Sequence, residues 1–224
     1  MYLSGAIAVP SVAPTIQSAV DIATDGDTIL VDDGTYNENV WVNKSINLTG
    51  ASMTNTTIDG GNSGDVVNVG ASWVNITGFT IFDAGAGSTD AGIDVSARNY
   101  TTISNCNITN GYHGIYLYSD SNYNDIVNCT LSTFTSNGIY VRDGSDWNEL
   151  VNCNVSGSNY GIYLHTSANT EIFNCTSYDN TQSGIYIYSS PGSLVTNCTL
   201  SGNAYCIRFA STTGTVCRNN TMTV

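Results

Sequence analysis

Positive charge is scarce in this chain: five Lys and Arg stand against eighteen Asp and Glu in 224 residues, giving a formal charge of -13 and a pI near 4.1. Nucleic acid is held through clustered positive charge, so no nucleic-acid partner is expected. The same shortage disfavours anionic lipid, and a strongly polyanionic glycan unless metal ions bridge the two surfaces. Long apolar runs are also missing. No stretch reaches eighteen apolar residues, so no membrane span is expected. Nor does a basic segment lead into a long apolar core, as a signal peptide requires. Helical periodicity is almost absent after about residue 25, whereas short alternations such as Ile115-x-Leu117 recur between Asn, Ser, Thr, Gly and Asp.

What is present is repetition. Asn105-Cys106, Asn128-Cys129, Asn152-Cys153, Asn174-Cys175, Asn197-Cys198 and Asn219-Asn220 recur at intervals of 23, 24, 22, 23 and 22 residues. Between them lie Gly114-Ile-Tyr-Leu-Tyr118, Gly138-Ile-Tyr-Val-Arg142, Gly161-Ile-Tyr-Leu-His165, Gly184-Ile-Tyr-Ile-Tyr188 and Cys206-Ile-Arg-Phe-Ala210. Two phrases with one period define a structural repeat, and the Leu-x-x-Leu-x-Leu framework of leucine-rich repeats is missing. The expected fold is all-β: one solenoid domain over residues 1–224, three short strands per turn, 22–24 residues per turn. Stacked turns place equivalent residues about 4.8 Å apart. Ile115, Ile139, Ile162, Ile185 and Ile207 then form one inward column, with Leu117, Val141, Leu164, Ile187 and Phe209 as the next.

In chain order, residues 5–9 read as an opening strand, and residues 14–23 as a short amphipathic helix with Ile16, Ala19, Val20 and Ala23 on one face and Pro14 in an early position. This helix is expected to cap the open end of the coil. Thr28–Val31, Val40–Val42 and Ile46–Leu48 read as the first turn of strands, and Asp59-Gly-Gly-Asn62 falls in an irregular loop. The chain stops soon after Asn219-Asn220 without a cap, so a fragment of a longer protein, or an end-to-end contact through the last turn, is expected.

These phrases resemble the right-handed parallel β-helices of the pectin-lyase-like superfamily, and most closely its NosD-like branch. Thr15-Ile-Gln-Ser-Ala-Val20, Gly26-Asp-Thr-Ile-Leu-Val31, Gly34-Thr-Tyr36, Glu38 and Lys44-Ser-Ile-Asn-Leu48 resemble the way such helices begin. The resemblance implies a fold more than an activity, since the superfamily holds lyases, hydrolases, adhesins and inert spacers. Its calcium-dependent lyases use clustered aspartates with a basic residue, and its polygalacturonases use Asn-Thr-Asp, Asp-Asp and Gly-His-Gly phrases. The chain has only Asp32-Asp33. Metal handling of the NosD kind would call for Met, His or Cys clusters, and His113 and His165 lie far apart in phase.

Cys106, Cys129, Cys153, Cys175 and Cys198 share one repeat position and should form an inward file of free thiols, although neighbours at this spacing fall inside the Cα range of a disulfide. No metal site is expected from a linear file. Asn105, Asn128, Asn152, Asn174 and Asn197 suit a tight bend, where Asn tolerates left-handed geometry and its amide can bond along a stack. Eleven Asn-x-Ser/Thr sequons would permit glycosylation of an exported chain, though Asn-Cys-Thr also recurs simply because the repeat does.

Alternation sends Tyr116, Tyr140, Tyr163 and Tyr186 outward in one column, and Tyr118, Arg142, His165 and Tyr188 outward in the next. An exposed strip of this kind could stack on sugar rings, which suggests an extracellular or cell-surface structural or adhesive module that binds glycan. The competing class is a polysaccharide lyase or glycoside hydrolase using Asp120, Asp143, His165 and Arg142 in a groove on the same side, for which paired carboxyl groups are needed. No cofactor is required by either reading; calcium is the one candidate.

Overall fold

The computed structural model describes residues 6–223, so Gly5 of the expected opening strand lies outside the described residues. The described residues wind into about nine turns of a right-handed parallel β-solenoid, 51% strand, with one short helix. Three ladders run its length. The first has ten strands, from Ala6–Val9 and Thr28–Val31 through Asp125–Val127 and Glu149–Val151 to Val216–Arg218. The second runs from Gly34–Asn37 and Thr56–Asp59 through Asn154–Ser156 to Thr221–Thr223, and the third from Val40–Val42 through Ala91–Ser96 and Tyr160–His165 to Tyr205–Ala210. Two long strands, Asn107–Tyr118 and Thr130–Arg142, pass from the second ladder to the third and join them in one sheet of fifteen strands.

The register is the one the repeat implies: Ile115 pairs with Ile139, Ile139 with Ile162, Ile162 with Ile185 and Ile185 with Ile207. Both aliphatic columns are fully buried through Ile185 and Ile187. In the last turn Phe209 is 48% exposed, because among the described residues no further turn lies over it. Each inward aliphatic side chain contributes roughly 1.5–3 kcal/mol. One turn holds too few of them to offset ordering more than twenty residues, so stability is shared between neighbouring turns.

Two strands were not expected, Gly34–Asn37 and Thr56–Asp59, each anchored by a single apolar side chain, Tyr36 and Ile58. Gly34–Asn37 supplies the second-ladder strand of the first turn, so Ile46–Leu48 begins the next turn instead of completing the first. The helix spans Ile16–Ile22 and buries Ile16, Ala19 and Val20. Pro14 lies one residue before the N-cap, not inside the helix. Thr15 is the N-cap and forms a capping box with Ser18, and the Glu38 carboxylate accepts the Ile16 and Gln17 amides at 2.9 and 2.8 Å.

At the bend between the first and second ladders the five cysteines are free and buried. Each thiol donates to the carbonyl two residues earlier, from Cys106 to Ser104 at 3.2 Å to Cys198 to Thr196 at 3.5 Å. Beside them Asn105, Asn128, Asn152, Asn174 and Asn197 all hold φ between 50° and 57°. Asn128, Asn152 and Asn174 each donate Nδ2 to the Oδ1 one turn before, at 3.4, 3.0 and 2.8 Å. Asn152 therefore serves two neighbours while occupying left-handed backbone. We expect Asn152→Ala to cost about 2 kcal/mol in urea unfolding and Asn152→Gly distinctly less, since glycine loses only the amide bonds.

Candidate functional site

The outer face of the third ladder carries the expected tyrosine column. Tyr116, Tyr140, Tyr163 and Tyr186 pair in register, and their rings stack at 5.3, 5.0 and 4.8 Å with interplanar angles of 9°, 11° and 13°. The expectation of exposed rings needs correction. Tyr116 is 3% exposed, and Tyr140 and Tyr186 are 9% exposed, because face-to-face stacking covers each ring with the next. Tyr118 lies on Tyr116 at 4.5 Å, and the Arg208 guanidinium covers Tyr186 at 4.8 Å. What a ligand meets is therefore a row of ring edges, with Tyr118, Arg142, His165 and Tyr188 half-buried along one side. Burial pushes the Tyr116 phenol up to about 12 and raises that of Tyr140, so both stay protonated hydrogen-bonding groups.

Arg142, Asp143 and His165 do come together. Arg142 Nε is 2.7 Å from Asp143 Oδ2, and its guanidinium lies 5.6 Å from the Tyr140 ring centre. The Tyr140 hydroxyl is 3.2 Å from His165 Nδ1. Burial, then the Arg142 charge, lowers the His165 pKa, so the imidazole is neutral at pH 7. Asp120 is exposed at the end of the ladder, its backbone amide donating to the Asp143 carbonyl at 3.1 Å. Asp143 is thus held in an ion pair with Arg142. Among the described residues no group of three or more His, Cys, Asp or Glu side chains is arranged to hold a metal.

Above the tyrosines lies an unexpected polar cluster. Asp94 pairs in register with Tyr116, is 2% exposed, and its Oδ1 has no hydrogen-bond partner. Burial, with Asp65 nearby, pushes its carboxyl up to about 8. His113, also buried, bonds Asn137 at 3.1 Å, and burial lowers its pKa to about 4. An outward position in the alternation looks solvated in sequence, and nothing in the pattern shows that neighbouring rings close over it.

A second aromatic file runs along the turn that enters the first ladder. Trp73, Tyr100, Tyr123 and Trp147 are 63%, 41%, 47% and 53% exposed, and all four have φ between 57° and 61°. Each amide donates to a carbonyl of the following turn, which fixes them as one column: Trp73 to Asn99, Tyr100 to Asn122, Tyr123 to Asp146 and Trp147 to Ala168. Trp73 stacks on Tyr100 at 4.1 Å and Tyr100 on Tyr123 at 5.4 Å. Beside this file, on the outer face of the first ladder, lie a cleft of about 290 Å³ floored by Asn75, Thr102 and Asp125, and another of about 250 Å³ bounded by Trp147, Glu149, Glu171 and Leu194. The signal was available: each aromatic precedes by three residues the inward Ile76, Ile103, Ile126 or Leu150 of its turn.

Residues 65–222 match the family model described as "Right handed beta helix region". Solved structures share the fold at low identity. The Agl-KA catalytic domain has a TM-score of 0.75 at 15% identity, over 100% of this chain and 48% of that one. The pectin methylesterase from Aspergillus niger has a TM-score of 0.68 at 15% identity, over 99% and 87%. The alginate lyase from Paenibacillus sp. str. FPU-7 has a TM-score of 0.61 at 15% identity, over 98% and 99%. The chain spans about half of the Agl-KA domain and 57% of ORF18 of Geobacillus virus E2, another protein of this shape. No curated protein sequence matches it. With over half its length matched and a parallel solenoid throughout, the chain belongs to the right-handed beta helix family, and its structural neighbours lie in the pectin-lyase-like superfamily.

Proposed function

We propose that the chain is an extracellular or cell-surface structural and adhesive module that holds a polysaccharide along the outer face of its third ladder. The observation that carries this reading is the four-turn stack of Tyr116, Tyr140, Tyr163 and Tyr186, which offers a rigid row of protonated hydroxyls and ring edges at strand spacing, with Tyr118, Arg142, His165 and Tyr188 alongside. Such a row matches a linear repeating ligand better than a compact one. Carbohydrate-active neighbours, among them a pectin methylesterase in complex with a hexasaccharide and an alginate lyase, make a saccharide the natural candidate.

Because the rings are buried against one another, the informative change removes hydroxyls and keeps the stack. Affinity electrophoresis on a panel of cell-wall polysaccharides should show retention that falls about tenfold in Tyr140→Phe/Tyr163→Phe, with no reducing sugar released. Unchanged retention in that variant would remove the tyrosine face from the account. Sugar release lost in Asp120→Ala or Asp143→Ala would instead establish the lyase or hydrolase alternative.

A further inference from the structure

We infer that the cleft beside Trp147 is a second saccharide site, on a different face from the tyrosine row, and that it takes a neutral glycan. In the aromatic file of the turn, Trp73, Tyr100 and Tyr123 cover one another, but among the described residues Trp147 stacks on no ring. The positions after it in the column are Asn169 and Gly192, whose amides continue the same hydrogen-bond pattern and whose side chains are too small to cover an indole. The result is a half-exposed aromatic wall standing over an open cleft of about 250 Å³.

Ring stacking does not explain why Trp is there. At φ 57° a bulky side chain is strained, and the same column uses Asn at 55° and Gly at 71° where no ring is present. Stacking offsets that strain for Trp73, Tyr100 and Tyr123; Trp147 has no such compensation. A pyranose ring supplies the missing partner, laying its C–H face on the indole while its hydroxyls reach the cleft floor.

The floor fixes the class of sugar. Glu149 and Glu171 are paired neighbours on adjacent strands of the first ladder, with Asn148, Asn169 and Thr170 beside them and no Lys or Arg in the lining. Two carboxylates accept from hydroxyl donors and repel a uronate or sulfated sugar. The adjoining cleft at Trp73, Tyr100 and Tyr123 continues the same face, with Asp125 in register with Glu149, so an extended chain has somewhere to run.

The test is calorimetry and tryptophan fluorescence with cellohexaose, mannohexaose and xylohexaose, against an oligogalacturonate hexamer as the anionic probe. At least one neutral hexasaccharide should bind and the galacturonate should not. Trp147→Ala should weaken binding at least tenfold and Glu149→Gln about fivefold, with unfolding midpoints confirming intact protein. Asn169→Tyr should abolish binding while retaining Trp147, because it extends the stack over the free face. No neutral hexasaccharide bound at 10 mM, unimpaired binding in Trp147→Ala or Asn169→Tyr, or preference for the galacturonate would each overturn the inference. Binding lost in Tyr140→Phe/Tyr163→Phe and kept in Trp147→Ala would overturn it while sustaining the tyrosine-face reading, and the converse would separate them the other way.

Discussion

Gly138→Ala should destabilise the domain by about 3 kcal/mol, near the upper end for inserting one methyl group into a packed core. A Cβ at this position would lie 2.7 Å from the Gly161 carbonyl oxygen of the next turn and would collide with Val155 Cγ1. Neither can yield: the carbonyl belongs to the third ladder and Val155 is fully buried. Gly92, Gly114, Gly161 and Gly184 meet the same obstacle, each against a carbonyl of the following turn. Gly61→Ala is the control, since it has φ +61° and nothing within 4 Å, so it should lose only about 1 kcal/mol of backbone preference. Equal midpoint shifts for the two variants in guanidinium unfolding would defeat the close-stacking account. A broadened or split transition for Gly138→Ala is expected, because the damage falls at one interface in a linear array.

The stability of the native protein should fall by about 2 kcal/mol between pH 6.5 and 8, and Asp94→Asn should abolish that fall. The Asp94 carboxyl, raised to about 8, remains protonated in the folded state where the unfolded chain has released the proton, so its contribution becomes less favourable as pH rises from about 4 to 8. His113, lowered to about 4, acts with the opposite sign: between about 4 and 6.5 the unfolded chain is protonated and the folded one is not, so stability there rises with pH. From pH 4 to 6.5 the Asp94 and His113 slopes offset one another, because the folded chain keeps one proton on Asp94 and the unfolded chain keeps one on His113, and the lowered His165 pKa adds a smaller rise of the same sign as that of His113. Above 6.5 only the Asp94 loss remains, at 1.36 kcal/mol per pH unit over roughly 1.5 units. In Asp94→Asn the His113 slope is unmasked, and unfolding free energy should rise by about 2 kcal/mol from pH 5 to 6.5 and then level off. A variant with the same pH profile as the native protein would place the raised carboxyl elsewhere.

Strand register was legible in the sequence because it depends on which residues recur and at what interval. The Ile115 and Leu117 columns, the cysteine file and the tyrosine column all follow from that interval alone. What lay beyond reach is what side chains do once outside. Alternation sends Tyr116 and Asp94 away from the core, but a ring that points outward can be buried by the identical ring one turn on. Gly34–Asn37 and Thr56–Asp59 escaped notice because one apolar residue among polar ones makes no period. Trp73, Tyr100, Tyr123 and Trp147 occupy a turn and recur at 27, 23 and 24 residues amid Asn and Gly, so their column shows in the sequence only when each turn is aligned on its inward Ile76, Ile103, Ile126 or Leu150.

The amide row of Asn105, Asn128, Asn152 and Asn174 gives the molecule an electric axis. Every amide in it points the same way, its nitrogen aimed at the earlier turn and its oxygen at the later one. Group dipoles of about 3.5 D each then add head to tail outside the backbone, as they do inside an α-helix. The two ends of the row are thereby made electrically unlike, with the positive pole toward the helix-capped end of the coil.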